Sequence, residues 1–189
     1  MPEVWAGPEC SFLAVGDRVC DQLSLTGHDR RIEDVDRLAS LGISRVRYPI
    51  LWGRDRGTGD ATDWTWARER LERLASLGVE PVVALLHHGF GPGGADPFDP
   101  EWPEAFGRFA GEVASRFPAV ATFLPINEPL TTARFGGLYG WWPPYVRDRS
   151  AFARLILAQA LGWLQAVRAI RAARPDARVV INEDIGRAF

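Results

Sequence analysis

An amide and a carboxylate, Asn127 and Glu128, follow directly after the apolar run 120–125, which predicts a buried strand. In barrel enzymes the groups that do chemistry lie at the carboxyl ends of strands. Glycoside cleavage needs a carboxylic acid that protonates a poor leaving group, and burial beside aromatic side chains raises a carboxyl pKa toward neutrality. The pair therefore predicts a glycosidase-type acid at Glu128. The alternative is that both side chains cap a following helix.

Arg47 lies near the end of another predicted strand, 43–50. An arginine that points into a barrel mouth needs a carboxylate partner, because an unpaired buried charge is costly. We expect Arg47 to keep a catalytic carboxylate ionised and oriented. A surface salt bridge is the alternative.

His87 and His88 end a third predicted strand, 79–86. Successive side chains of a strand point to opposite faces, so at most one of the two should reach a pocket. A pocket histidine would contact a sugar hydroxyl, and a packing histidine is the alternative. Because His28 is the only other histidine and no H-x-H or H-E-x-x-H pattern occurs, a metal-dependent hydrolase ranks third among the functions considered. We expect no metal and no cofactor.

Two further features carry candidate site residues. Trp141 and Trp142 are adjacent in a loop rich in glycine and proline, and indole faces suit sugar C–H groups. We predict them as a sugar platform and expect the other tryptophans to be core. Glu183 and Asp184 follow the last predicted strand, either in the pocket or as helix caps, and Glu183 is a possible second carboxylate.

A repeated joint between helix and strand organises the chain. The segment R-L-A-S-L-G-I at 37–43 returns as R-L-A-S-L-G-V at 73–79, about one βα unit later. In each copy a glycine, Gly42 or Gly78, is predicted to end a helix in the left-handed conformation. Apolar spacing predicts two more helices and three more strands: helices 104–117 and 150–173, and strands 4–6, 120–125 and 178–181.

Strict alternation of about five strands and four helices predicts a parallel α/β fold. The loops after the strands are long, and no G-x-G-x-x-G or P-loop follows a strand, which favours a barrel over a nucleotide-binding sheet. We therefore predict a single domain, 1–189, that contains about the first five βα units of an incomplete (β/α)8 TIM barrel. Five strands cannot close such a barrel, so we expect a missing C-terminal half or, alternatively, a second subunit.

Composition excludes several classes of protein. With 47% hydrophobic residues and a net charge of −2, the 189-residue chain gives no electrostatic reason to expect a nucleic-acid partner. It contains no lysine, which excludes Schiff-base and pyridoxal-phosphate chemistry. No apolar run approaches the ~20 residues of a membrane span. The first residues lack a secretion signal, so we expect a cytoplasmic protein with Cys10 and Cys20 as free thiols.

Three segments, in order, resemble motifs of glycoside hydrolase family 1, the retaining β-glucosidases on a (β/α)8 barrel. V-R-Y-P-I-L-W at 46–52 looks like the family's R-F-S-x-x-W strand, L-L-H-H at 85–88 like its L-x-H-W segment, and I-N-E-P at 126–129 like its N-E-P. The sequences of the first loop and of the segments around His88 and Glu128 look most like those of a divergent bacterial branch of this family. In that branch the barrel can precede a sugar-nucleotide reductase-like domain.

The resemblance implies roles for four residues. Glu128 would be the general acid/base, Asn127 would contact the sugar 2-hydroxyl, His87 would contact the sugar, and Arg47 would be the partner of the nucleophile. His88 departs from the family, which usually has Trp at this position, and the opening loop does not match the family's Gln-bearing segment.

The nucleophile of the resembled family lies in a T-E-N-G-like segment on the seventh strand, and the chain contains no such segment. A retaining mechanism needs two carboxyl groups ~5 Å apart. We therefore predict a β-glycosidase-like barrel whose substrate is a small glycoside or oligosaccharide and which is inactive as these residues alone. The alternative function is a non-catalytic carbohydrate-binding or scaffold module.

Overall fold

The structure is a computed structural model that describes residues 5–15, 18–54, 64–92 and 95–184. The elements in chain order are β1 (Phe12–Val15), β2 (Arg18–Asp21), α1 (Gln22–Thr26), α2 (Glu33–Ser40), β3 (Arg45–Pro49), α3 (Thr65–Ser76), β4 (Glu80–Ala84), α4 (Trp102–Arg116), β5 (Thr122–Leu124), α5 (Pro129–Ala133), a π-helical turn (Arg134–Leu138), α6 (Arg149–Ala173) and β6 (Arg178–Val179).

Four strands form a parallel sheet in the order β3-β4-β5-β6, as the alternation of elements predicts. Ala6 extends this sheet by a parallel bridge to Val46, with its N–H donating to the Arg45 carbonyl at 3.1 Å. The predicted opening strand is thus a single bridge in the described residues, and Val4 lies outside them. Among those residues the sheet is open at the β6 edge.

The two faces of the sheet have different surroundings. Val83, Leu85 and Phe123 pack into the large core beneath the helices. Val82, Ala84 and Leu124 point the other way. Val82, Leu124 and Arg47 line a cavity of about 520 Å³ on that second face. An interior lined by strand side chains is the arrangement expected of a barrel wall.

Two glycines end helices as predicted. Gly42 and Gly78 have φ values of 77° and 71°, and each follows the last turn of a helix, α2 or α3. Left-handed backbone costs a residue with a Cβ about 1–2 kcal/mol, so glycine is the favoured residue at both positions. The predicted joint between helix and strand is confirmed twice.

Two regions differ from the prediction. An antiparallel hairpin, β1 with β2, and the short helix α1 interrupt the expected strict alternation. Strands of four residues are too short to show a hydrophobic period. The segment predicted as a loop after Glu128 contains α5 and the π-helical turn. Gly136 and Gly137 disfavour a helix by propensity, yet a Cβ at Gly137 would lie 2.7 Å from Phe152 Cα, so the close approach of α6 requires glycine there.

Helix α4 packs against α6 and carries the largest aromatic cluster. Phe106 and Phe109 are fully buried, and both rings lie about 6 Å from the ring of Trp52. Trp102 is also buried, and its indole N–H donates to the Phe90 carbonyl at 2.7 Å. Trp52 and Trp102 are core residues rather than part of a sugar platform.

Helix α6 spans 25 residues, and its most apolar window has a mean hydropathy of 1.2, enough to cross a membrane by length and composition alone. The expectation that no segment would approach this limit was wrong. Leu155, Ala166 and Ile170 are buried on the side of the helix that packs on the core. Core helices of soluble proteins pass the same test.

The contact between α4 and α6 generates a stability prediction. A Cβ at Gly162 would lie 2.6 Å from the Trp102 ring, which its hydrogen bond and burial hold in place. Gly162→Ala should therefore lower the free energy of unfolding by about 1–3 kcal/mol, although alanine favours a helix by about 1 kcal/mol. Urea unfolding followed by circular dichroism measures the change.

Leu161→Ala, at the neighbouring half-exposed position, is the control. It should change the free energy of unfolding by less than about 0.5 kcal/mol relative to wild type. An unchanged or raised stability of Gly162→Ala would show that the two helices do not approach as closely as described.

Candidate functional site

Polar side chains from three neighbouring strands meet at the carboxyl edge of the parallel sheet. Beyond the strand ends, His87 pairs with Asn127 and Asn127 pairs with Asn182 in isolated parallel bridges. These bridges align the residues that follow β4, β5 and β6. Because parallel strands bring their carboxyl ends to one edge, side chains far apart in sequence become neighbours.

Asn127 is the centre of this arrangement. Its side chain is fully buried, and its Oδ1 accepts hydrogen bonds from Arg47 Nη1 at 2.7 Å and from Asn182 Nδ2 at 2.8 Å. Because only the amide oxygen can accept, these two donors identify Oδ1 and therefore the orientation of the side-chain amide. Its Nδ2 has no hydrogen-bond partner among the described residues. The free amide N–H groups are thus available to a ligand hydroxyl.

Arg47 is held by three acceptors. Besides Asn127, its Nη2 donates to the Pro8 carbonyl at 3.1 Å and to Glu9 Oε1 at 3.4 Å. The carboxylate beside it is therefore Glu9, whose side chain is 66% exposed, while the Arg47 side chain is only 16% exposed. The alternative of a plain surface salt bridge does not describe a guanidinium buried to this extent. Its Nε is buried without a partner in the described part of the chain.

His87 is anchored through one ring nitrogen. Its Nδ1 lies 3.1 Å from Ser11 Oγ, whereas Nε2 is buried and has no partner within the described ranges. Burial, and then the neighbouring His88 and Arg47, lower the pKa of His87 to about 2. The ring is therefore neutral at physiological pH, and its second nitrogen remains open for a ligand.

His88 does not point away from His87, contrary to the alternation expected of a regular strand. Strand β4 ends at Ala84, and His88 has a φ of 62°, in the left-handed region. Both histidines are buried, and their ring centroids lie 4.4 Å apart. The prediction that at most one histidine reaches the site was wrong because the strand ends before the pair.

Glu128 also has left-handed backbone, with a φ of 48°, and occupies the residue before α5. Its side chain makes no capping hydrogen bond to that helix, so the capping alternative does not describe it. Its Oε2 lies 3.8 Å from His88 Nε2. Burial raises the pKa of Glu128, and the charges of Glu183 and Asp184 raise it further, against the opposing effects of Asn127 and Arg47. A partly buried carboxyl with a raised pKa is suited to donate a proton.

Glu183 caps the helix that follows Glu128. Its oxygens accept hydrogen bonds from Leu130 N at 2.6 Å, Thr131 N at 3.3 Å, Thr131 Oγ1 at 3.0 Å and Asp184 N at 3.1 Å. Both oxygens are therefore engaged with donors of the protein. These contacts favour the predicted capping alternative over a second reactive carboxylate.

The two adjacent tryptophans have different surroundings. The Trp142 ring lies 4.9 Å from the His88 ring and 4.4 Å from the Phe135 ring, which places it at the edge of the site. Trp141 is 57% exposed and contacts Phe135 and Tyr139 instead. Of the predicted platform, only Trp142 adjoins the histidines.

Four residues of this cluster were missed from the sequence: Glu9, Ser11, Thr132 and Asn182. Asn182 could have been found, because Asn182-Glu183 repeats the Asn-Glu pair at the next strand end. Ser11 and Thr132 carry no pattern, since their role depends on the positions of His87 and His88. In the described ranges, no group of three or more His, Cys, Asp or Glu could hold a metal ion.

The open parallel sheet, with polar side chains gathered at its carboxyl edge, is part of an α/β-barrel fold. No family model matches the chain. It is 25% identical over 177 residues to β-glucosidase A of Thermotoga maritima, and the aligned region covers 88% of this chain and 38% of that protein. It is 30% identical over 152 residues to Klotho of Mus musculus, which covers 69% of this chain and 14% of Klotho.

Solved structures agree with this relationship. The family 1 β-glucosidase from Thermotoga maritima has a TM-score of 0.73 at 24% identity and covers 82% of this chain and 38% of that chain. The same enzyme in complex with deoxynojirimycin has a TM-score of 0.73 at 23% identity, over 82% of this chain and 37% of that chain. The chain is homologous to the family 1 β-glucosidases and corresponds to the N-terminal part of their (β/α)8 barrel. It spans well under half the length of these relatives.

The capping contacts of Glu183 generate a prediction. Glu183→Gln keeps the shape of the side chain but turns an amide donor toward N–H groups, so the free energy of unfolding should fall by about 1–3 kcal/mol. Urea unfolding at neutral pH measures it. Asp184→Asn, at the exposed neighbouring residue, is the control and should change stability little. Equal effects of the two substitutions would contradict the capping role.

The raised pKa of Glu128 predicts a dependence of stability on pH. A carboxyl whose pKa in the folded protein exceeds its ordinary value of 4.5 contributes stability below that value, and loses it as the pH rises through the folded-state pKa. Glu128→Gln removes the ionisation. Its unfolding free energy relative to wild type should therefore increase as the pH rises from about 4.5 toward neutrality.

Chemical denaturation at a series of pH values tests this dependence. Glu104→Gln on the exposed face of α4 is the matched control. A difference between Glu128→Gln and wild type that stays constant with pH would show that burial does not perturb Glu128.

Proposed function

We propose that this chain supplies the acid/base half of a β-glycosidase site, with Glu128 as the general acid/base. One observation carries the proposal: the strand ends that carry Glu128, a partly buried carboxyl with a raised pKa, also carry two buried hydrogen-bonding atoms that have no partner among the described residues. These atoms are His87 Nε2 and Asn127 Nδ2. Buried polar atoms without partners are rare in folded proteins, and a polar ligand would satisfy them.

Glu128 would act in two steps. In its protonated form it gives its proton to the glycosidic oxygen as the bond to the sugar breaks, which leaves a carboxylate. That carboxylate then takes a proton from the water that attacks the glycosyl intermediate. A raised pKa favours the first step, because it keeps a larger fraction of Glu128 protonated near neutral pH.

The surrounding residues would bind the sugar. Asn127 would donate from Nδ2 to a sugar hydroxyl, His87 would use its open Nε2, and Arg47 would hold Asn127 in place. Trp142 offers an indole face beside His88, which suits sugar C–H groups. Support for a small glycoside ligand comes from the β-glucosidase of Thermotoga maritima, which has been solved in complex with deoxynojirimycin and with isofagomine lactam.

A retaining mechanism also needs a nucleophile ~5 Å from the acid/base. Glu183 has both oxygens engaged as a helix cap, and Asp184 is exposed. We propose that the second carboxylate comes from outside these 189 residues, from a C-terminal half or a second subunit. The chain alone should then bind a glycoside without hydrolysing it.

A non-catalytic carbohydrate-binding module is the second candidate function. It is favoured by the same observation, because groups that can bind a sugar are present and Glu183, the predicted second carboxylate, is engaged as a helix cap. One experiment separates the two functions: the missing part of the barrel is supplied and hydrolysis is assayed. A glycosidase should then hydrolyse the glycoside in a reaction that requires Glu128, whereas a binding module should not. A cytoplasmic location stays part of this proposal.

Binding can be tested on the chain as it is. Titration with 4-nitrophenyl β-glucoside should quench tryptophan fluorescence saturably, because Trp142 adjoins the site, and should release no nitrophenol. Asn127→Ala should weaken binding by about five- to tenfold, since one good buried hydrogen bond is worth about 1–1.5 kcal/mol. Glu104→Ala, an exposed change on α4, should bind like wild type.

Two results would contradict the proposal. The first is the absence of binding of either this glucoside or deoxynojirimycin by the wild-type chain. The second, measured once the missing part of the barrel is supplied, is hydrolysis of the glucoside that persists unchanged in Glu128→Gln.

A further inference from the structure

His88 connects Glu128 to a second buried residue. Its Nδ1 lies 3.0 Å from Thr132 Oγ1, and its Nε2 lies 3.8 Å from Glu128 Oε2. His88 is 8% exposed and Thr132 is 2% exposed, so both side chains are largely shielded from water. The two ring nitrogens thus face two different groups, a hydroxyl and the proposed acid/base.

The hydroxyl of Thr132 decides which nitrogen carries the ring proton. Thr132 Oγ1 lies 3.1 Å from the Glu128 carbonyl oxygen, to which it can only donate. A hydroxyl has a single proton, so with that proton on the carbonyl it can only accept from His88. His88 must then carry its proton on Nδ1, and Nε2 presents a lone pair.

The ring itself is neutral. Burial, and then the charge of Arg47, lower the pKa of His88 to about 4. A neutral imidazole has one donor and one acceptor nitrogen, and the contact at one nitrogen fixes the other. The nitrogen that faces Glu128 is therefore an acceptor, which suits a protonated carboxyl and not a carboxylate.

We propose that Thr132 and His88 are positioning residues for Glu128: Thr132 holds His88 as the Nδ1–H tautomer, and His88 Nε2 accepts the acid proton of Glu128. This inference rests on the proposed role of Glu128. The separation of 3.8 Å would shorten when the carboxyl is protonated, because its proton then bridges Oε2 and Nε2. The hydrogen bond would keep the acid protonated and turn Oε2 to a fixed direction.

Position 88 departs from the usual pattern of the family that the sequence resembles. The family that the sequence resembles usually has tryptophan at the position of His88, and an indole N–H can only donate. The Nε2 lone pair of His88 can accept the proton of a carboxylic acid, which an indole cannot. The chain thus has, at position 88, a group that favours the protonated form of its neighbour.

Several other groups also shift the pKa of Glu128, and they come from different elements. Glu183 and Asp184 follow β6 and favour the protonated form, whereas Arg47 from β3 favours the ionised form. Asn127, the preceding residue, also favours the ionised form, because its side-chain N–H groups lie close to the carboxylate. His88 is distinguished from all of these because its effect depends on a tautomer and therefore on Thr132.

A matched pair of substitutions isolates that dependence. Thr132→Ser keeps the hydroxyl, and Thr132→Val keeps the shape but removes it. Nitrogen-15 NMR of the ring reports the tautomer of His88, and carbon-13 NMR of the side-chain carboxyl reports the pKa of Glu128. Both are measured on the whole chain without a ligand.

In wild type and Thr132→Ser, we expect the Nδ1–H tautomer and the same Glu128 pKa. In Thr132→Val, His88 should change to the Nε2–H tautomer, which donates to the carboxylate. The pKa of Glu128 should then fall by about 0.5–1 unit, the effect of one hydrogen bond on the balance between the two forms.

An Nε2–H tautomer in the wild-type protein would overturn the inference, and this measurement needs no variant to fold. A Glu128 pKa that is equal in Thr132→Val and Thr132→Ser would also overturn it. Binding of 4-nitrophenyl β-glucoside is tested separately. A chain with the expected tautomer and no glucoside binding would contradict the proposed function and leave the contact between His88 and Glu128 established.

Discussion

The site depends on one buried oxygen. Asn127 Oδ1 accepts from Arg47, which belongs to β3, and from Asn182, which follows β6, while Asn127 itself follows β5. Three strand ends are tied together by these two hydrogen bonds. Because the oxygen is buried, the loss of either donor would leave it poorly satisfied, and that penalty is larger than the net value of a surface hydrogen bond.

The same contacts determine what faces a ligand. With its oxygen occupied twice, Asn127 presents its N–H groups, and with Ser11 on Nδ1, His87 presents Nε2. Both histidines have lowered pKa values, so the site around Glu128 contains neutral rings rather than cations. Burial in a partly dry environment favours the protonated carboxyl, whereas an imidazolium at the position of His88 would favour its ionisation.

The backbone helps to bring these groups together. Each of the two strands that end beside Asn127 and His87 is followed by a residue with positive φ, Glu128 or His88. Non-glycine residues in this region are uncommon and concentrate at functional sites, where surrounding contacts hold them. The left-handed turn at each of these residues directs its own side chain toward the site at the edge of the sheet. Glu128 and His88 thus approach each other, although their strands run side by side.

Patterns of neighbouring residues predicted the parallel α/β fold, the two glycine-ended helices, and the strand ends that carry Arg47, His87, Asn127 and Glu128. These features depend on hydrophobic periodicity and local backbone preference, which a single chain segment contains. The hairpin β1–β2 and the helical turns after Glu128 were not predicted, because short elements and glycines required by the packing of α6 leave no clear period. The tertiary structure alone decided that His88 faces Glu128, that Glu183 caps α5, and that Ser11, Thr132 and Asn182 belong to the site. Each of these depends on distances between residues far apart in the chain, and on left-handed turns that the residue types His and Glu do not announce.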